Sequence, residues 1–184
     1  MKKNITLVIF ALLLTNLSFG QKYLTKNGHI SFFSDSPAEK IEANNHQVNA
    51  ALDLQTGDFV FKVLMKSFEF EKALMQEHFN ENYVESDKFP NATFIGKIDN
   101  LKSFDLTKTG KYEVNISGKL TIHGVTQDVS VKGTLEVVNG LIKGSAIFNV
   151  KLSDYNIKIP KAVVNNIAEL VEIKVMVDLS EYKK

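Results

Sequence analysis

The chain has 184 residues, enough for one domain with a substantial core, and its 44% apolar and 23% charged content is that of an ordinary globular protein. Lysine supplies every basic charge, so there is no planar guanidinium fork for phosphate or carboxylate, and a formal net charge of +1 gives no electrostatic case for binding nucleic acid. With no cysteine, disulfides, thiolate metal sites and a lipid-modified N-terminal thiol are excluded.

Lys2 and Lys3 precede an apolar run from Ile5 to Leu14, and Ser18-Phe19-Gly20 supplies small residues ahead of Gln21. That is the layout of a secretory signal peptide over residues 1–20, cleaved near Gly20/Gln21. A membrane anchor, the competing assignment, needs about 20 apolar residues, and Thr15 and Asn16 interrupt this run. Cleavage removes two lysines, takes the net charge from +1 to about −1, and delivers residues 21–184 to the periplasm or the medium as one domain with no membrane span.

Gln21 to Asn27 reads as a loosely ordered start. Gly28 to Ser34 is a first short strand carrying Ile30 and Phe32 on one face, and Ser34 to Asn45 reads mainly as loop. Gln47 to Leu54 alternates Val48, Ala50, Leu52 and Leu54 against polar neighbours. After a turn at Gln55-Thr56-Gly57-Asp58, the strand from Phe59 to Lys66 turns Phe59, Phe61, Val63 and Met65 to one side. Between Ser67 and Asn91 the period changes. Phe70, Leu74, Met75, His78 and Phe79 have the spacing of a short amphipathic helix, expected to act as a lid or plug.

Ala92 to Asn100 is again a strand, with Ala92, Phe94, Gly96 and Ile98 on one face, and Leu101 to Gly110 is a polar loop. From Lys111 to Leu152 the alternation is nearly free of error, and it predicts three successive half-buried strands. These are divided by a turn at His123-Gly124-Val125-Thr126 and by Asn139-Gly140, the sequence of a type I′ hairpin. Ser153-Asp154-Tyr155-Asn156 reads as a turn and Ile157 to Asn166 as a connector. Glu169 to Ser180 is the last strand, with Val171, Ile173, Val175, Val177 and Leu179 facing one way.

Eight amphipathic antiparallel strands must hide one face, and a closed barrel does so while removing exposed edges. A sandwich of two four-stranded sheets satisfies the same pattern, and periodicity does not separate them. Gly96, Gly118, Gly133 and Gly144 fall on the apolar parity of four strands, either as kinks that let a sheet curve or as space for a ligand.

Three motifs carry a family resemblance. Gly118 followed by Leu120-Thr121-Ile122-His123-Gly124-Val125-Thr126-Gln127-Asp128-Val129 resembles the G-x-L-T-x-H-G-V-T-x-x-V signature of the YceI-like family. Phe89-Pro90-Asn91-Ala92-Thr93-Phe94, with His78-Phe79-Asn80 upstream, resembles its aromatic-Pro-x-A-T-F element. Ser153-Asp154-Tyr155-Asn156-Ile157 is similar to its D-[FY]-G-I segment, with Asn156 where Gly is usual. The resemblance implies an all-β, eight-stranded antiparallel lipocalin-like barrel, exported to the periplasm, whose lumen holds a long isoprenoid or other lipid chain. The connector from Phe68 to Phe79 differs from the Arg- and Asp-containing version of many members, so its mouth is open to a different head group.

No catalytic pattern accompanies these motifs. His29, His46, His78 and His123 form no H-x-H or H-E-x-x-H pattern, and Glu77 and His78, adjacent in a helix, do not face each other. No nucleophile elbow, phosphate loop or nucleotide fingerprint is present, so neither an enzyme nor a cofactor is indicated. His123 has two readings, one in which its ring fixes its own hairpin turn and one in which it is a polar contact at the barrel mouth.

The leading expectation is a carrier or store for a polyisoprenoid, quinone-like or fatty acyl chain. Its lining would be Phe59, Phe61, Met65, Phe94, Ile116, Leu120, Val131, Phe148 and Val175, with Gly96, Gly118, Gly133 and Gly144 giving room. An outer-membrane barrel is the second reading, disfavoured because two strands look shorter than the 9 to 11 residues such barrels use. An enzyme or stress-response factor acting on a lipophilic molecule near His78, Glu77 or His123 is the third, and a filled sandwich binding protein partners the fourth. A homodimer stays open.

Overall fold

The alternation becomes eight long strands that close on one another. The computed structural model describes residues 22–183, so the signal peptide expected over residues 1–20 lies outside the described residues. The strands are β1 (Lys22–Asp35), β2 (Lys40–Asp53), β3 (Asp58–Leu64), β5 (Asn91–Ile98), β6 (Gly110–Ile122), β7 (Val125–Val138), β8 (Leu141–Lys151) and β9 (Leu170–Glu181), with a two-residue β4 (Glu69–Phe70) beside β2. Each long strand pairs antiparallel with the next, and β9 returns to pair with β1. That return decides for the barrel over the sandwich.

Turn chemistry explains the tight hairpins. Asn139 and Gly140 both take positive φ, 51° and 79°, as a type I′ turn requires. His123 and Gly124 do the same at 50° and 73°, and Ile122 already pairs with Val125. The turn there is therefore two residues rather than the four expected.

The N-terminal strands are longer than the pattern predicts. β1 starts at Lys22, where a loose segment was expected, and β2 starts at Lys40, within the expected loop. Polar residues at inward positions masked the period. Ser34, 2% exposed, accepts the Ala168 backbone N–H at 2.8 Å. Asn45, fully buried, donates to the Leu64 carbonyl at 2.9 Å and accepts the Gln47 N–H at 2.8 Å. Asn45 stands at a bulge: β1 advances two residues from Gly28 to Ile30 while β2 advances three, from Val48 to Asn45.

Both strands reach 14 residues, so the two expected to be short are not, while β3 at 7 and β5 at 8 residues fall below membrane-barrel length. The outward face argues against a membrane barrel more strongly. Along β6 and β7 it carries Lys111, Glu113, Lys119, Asp128, Lys132 and Glu136, which is not the apolar band a lipid-facing barrel presents.

One end of the barrel is filled. Leu52, Ile142 and Leu179 are each 1% exposed, and the β5–β6 connector adds buried Leu101 with Phe104 and Leu106 packed against the core. Phe104 lies 5.0 Å from the Tyr112 ring, whose hydroxyl donates to the Asp105 carbonyl at 3.0 Å. The opposite end is covered by the connector holding α1 (Ala73–His78) and a wider helical turn, Phe79–Tyr83.

Candidate functional site

Above the filled end the interior is hollow, with a cavity of about 340 Å³ bounded almost wholly by apolar side chains. The burial pattern says the same in another way. Val114 and Ile142, facing in near the filled end, are 1% exposed, whereas Phe59, Phe94, Ile116, Leu120, Phe148 and Val175 face in yet remain half-buried. The half-buried set borders open space.

Ten of the thirteen residues expected at the lining do line this cavity: Phe59, Phe61, Met65, Phe94, Ile116, Leu120, Val131, Gly144, Phe148 and Val175. Gly96, Gly118 and Gly133 do not, and the expectation of a bare glycine strip is corrected there. Gly96 and Gly118 are direct partners across β5 and β6. A Cβ on Gly118 would lie 2.5 Å from Gly96 Cα and 2.8 Å from Phe94 Cζ, so the two glycines let the strands and the Phe94 ring approach. At Gly133 a Cβ would meet Ile116 Cδ1 at 3.0 Å. Phe94 and Ile116 thus stand over the strip and present their own surfaces to the lumen.

At the covered end four rings form a collar that sequence reasoning did not assign to the lining: Phe32, Phe68, Phe70 and Phe79. Phe79 stands 5.0 Å from Phe70 and 5.5 Å from both Phe32 and Phe68. The apolar spacing in this connector was the available signal. The helix is shorter than expected, because Phe70 belongs to β4 and Phe79 opens the wider turn, and this rotates Leu74 outward to 60% exposure. Met75, His78, Phe79 and Tyr83 turn toward the cavity.

Polar groups gather at the same end. Glu39, in the turn between β1 and β2, receives Lys72 Nζ at 3.0 Å and Asn166 Nδ2 at 3.4 Å, so it links the helical connector to the one preceding β9. These hydrogen bonds, Lys72 foremost, hold the Glu39 carboxyl below the usual carboxylate range. Ser36 Oγ adds a hydrogen bond to the Asn165 carbonyl at 2.9 Å.

His123 matches neither expected role. Its Nδ1 lies 3.1 Å from the Tyr155 carbonyl and its Nε2 2.6 Å from Glu85 Oε2, and the Phe89 ring stands edge-on at 4.7 Å. The ring fastens the β6–β7 hairpin to two connectors, outside the cavity lining. Asn156 holds the left-handed conformation at φ 57° that its place in the motif demands and that Asn tolerates. Among the described residues no three His, Asp or Glu side chains are grouped to hold a metal ion, and no helix is long and apolar enough to cross a membrane.

No curated protein sequence matches the chain. Among solved structures, a polyisoprenoid binding domain from Saccharophagus degradans implicated in plant cell wall breakdown superposes with a TM-score of 0.77 at 14% identity, covering 89% of this chain and 99% of its own. BcnA of Burkholderia cenocepacia gives 0.69 at 20% identity, covering 83% of this chain and 96% of its own. The Campylobacter jejuni YCEI protein gives 0.55 at 18%, covering 77% and 85%. At these identities the likeness speaks to the fold alone. The YceI-like domain matches residues 22–179, nearly the whole described chain. The chain therefore belongs to the YceI-like family.

Proposed function

We propose that this protein is an exported lipid-binding protein which holds a long apolar chain, a polyisoprenoid or one of similar length, inside the barrel and shields it from water for carriage or storage. The observation that carries the reading is the hollow, apolar lumen itself, bordered by inward side chains that stay half-buried although they face into the barrel. The solved relative from Saccharophagus degradans, a polyisoprenoid binding domain, supports isoprenoid as the chain type.

The enclosed space takes about half of a C20 chain, and that half carries adequate affinity. Along β9 the lining runs from Val171 to Leu179, which at about 3.4 Å per residue and a tilt near 40° covers about 20 Å of the barrel axis. A volume of 340 Å³ holds about eleven water-sized groups at ~30 Å³ each. Burying as many methylenes at ~0.8 kcal/mol apiece supplies about 9 kcal/mol before ordering costs, on the scale of micromolar binding. Affinity on this scale needs no polar contact, and the proposed activity is binding without catalysis.

The experiment is organic-solvent extraction of protein purified without detergent, followed by mass analysis of the extract. A stoichiometric lipid supports the reading. An empty extract, together with failure to take up added C20 isoprenoid alcohol, overturns it.

A further inference from the structure

Building on the lipid-binding reading, we propose that the mouth selects chains ending in an uncharged hydrogen-bonding group, a hydroxyl above all, and discriminates against chains ending in phosphate or carboxylate. The polar residues lining the covered end include Ser34, Glu39, His78, Tyr83, Thr93 and Asn166. No lysine lines the cavity among the described residues, and the chain has no arginine. Lys72, the cation hydrogen-bonded to Glu39 at 3.0 Å, is not part of the lining and its side chain is 60% exposed.

The consequence follows from charge and donor count. An anionic end entering here meets the Glu39 carboxylate, a lining residue whose cationic partner Lys72 stands outside the lining. A hydroxyl finds matched partners instead. It donates to a Glu39 or Asn166 oxygen and accepts from the Tyr83 phenol, which is protonated at neutral pH and whose pKa burial raises further. Ser34, which accepts the Ala168 N–H, carries no charge, and Glu39 is the carboxylate of the lining that sets the preference.

The test compares two ligands that share one C20 tail, geranylgeraniol and geranylgeranyl diphosphate. Each displaces the apolar fluorophore N-phenyl-1-naphthylamine from the full protein at pH 7.5. The alcohol is expected to bind at least tenfold more tightly. Glu39→Gln removes the carboxylate charge and frees Lys72, so the preference should shrink at least fivefold. Lys72→Gln leaves the carboxylate without its counter-charge, so the preference should widen. These opposite shifts cannot come from partial unfolding or from the ligands' differing solubility. A diphosphate that binds as tightly as the alcohol, or a preference that neither variant moves, overturns the proposal. Binding of neither ligand overturns the lipid-binding reading itself, a result distinct from a lost preference.

Discussion

Replacing Ala146 with Phe is expected to block the lumen while leaving the barrel folded. Ala146 lies on β8 between its register partners Gly133 and Val175 and borders the cavity. An apolar cavity of about 150 Å³ accommodates benzene, so the new ring removes something under half of the 340 Å³ available. At ~30 Å³ per methylene-sized group, four or five ligand groups lose their place. At ~0.8 kcal/mol each the loss is about 3 to 4 kcal/mol, a few hundredfold in affinity. Ile147 is the internal control. It is the next residue, faces outward and is 59% exposed, so Ile147→Phe should leave binding unchanged. The assay is fluorophore displacement by geranylgeraniol, with urea unfolding in parallel to show that both variants are folded. Affinity of Ala146→Phe within threefold of the parent, at unchanged stability, would refute a chain lying beside β8.

Gly118→Ala forces a Cβ to 2.5 Å from Gly96 Cα, and the backbone on either side cannot yield cheaply. Urea denaturation should show a loss of about 1–3 kcal/mol, and a neutral result would mean the strands are not in close approach. His123→Ala removes the contacts to Tyr155 and Glu85 that tie three segments together. An expected cost of about 1.5–3 kcal/mol, with ligand affinity little changed, separates a fastening residue from a ligand contact; a large affinity loss without destabilisation would reverse that assignment. Glu39 has a folded pKa below its unfolded value, so its pairing with Lys72 stabilises the mouth above the unfolded carboxylate pKa of about 4.3 and is lost as pH falls through the lower folded value. Amide protection across residues 73–83 should hold from pH 7 to 5 and fall below about pH 4; loss already by pH 5 would contradict this. N-terminal sequencing of protein exported by a cell should begin at Gln21, and an N-terminus retained at Met1 would argue against a cleaved signal.

Much of the barrel is written in the chain as period two, and it is clearest where outward positions are charged and inward ones apolar, as along β6 and β7. The pattern fails where an inward position is polar for a structural reason. Ser34 and Asn45 are buried hydrogen-bonding residues that hold a connector and a bulge, and each interrupts the alternation that marks a strand. The lining was legible for the same reason as the strands, since inward parity identifies most of it. Parity does not tell a side chain that borders space from one covered by a neighbour, which is why Gly96, Gly118 and Gly133 look open in the sequence and are covered by Phe94 and Ile116 in the fold. The phenylalanine collar lies partly on a connector and joins residues far apart in the chain, Phe32 with Phe68, Phe70 and Phe79. The long-range fastening of His123 to Glu85, 38 residues away, has no local signature.

The most direct measurement is native mass spectrometry of the protein purified without detergent from cells that export it. A discrete added mass that matches a hydrophobic compound, that is lost on organic extraction, and that is missing from Ala146→Phe but present on Ile147→Phe is the predicted result. A bare polypeptide mass for the parent protein, unchanged after incubation with a C20 isoprenoid alcohol, would contradict the account.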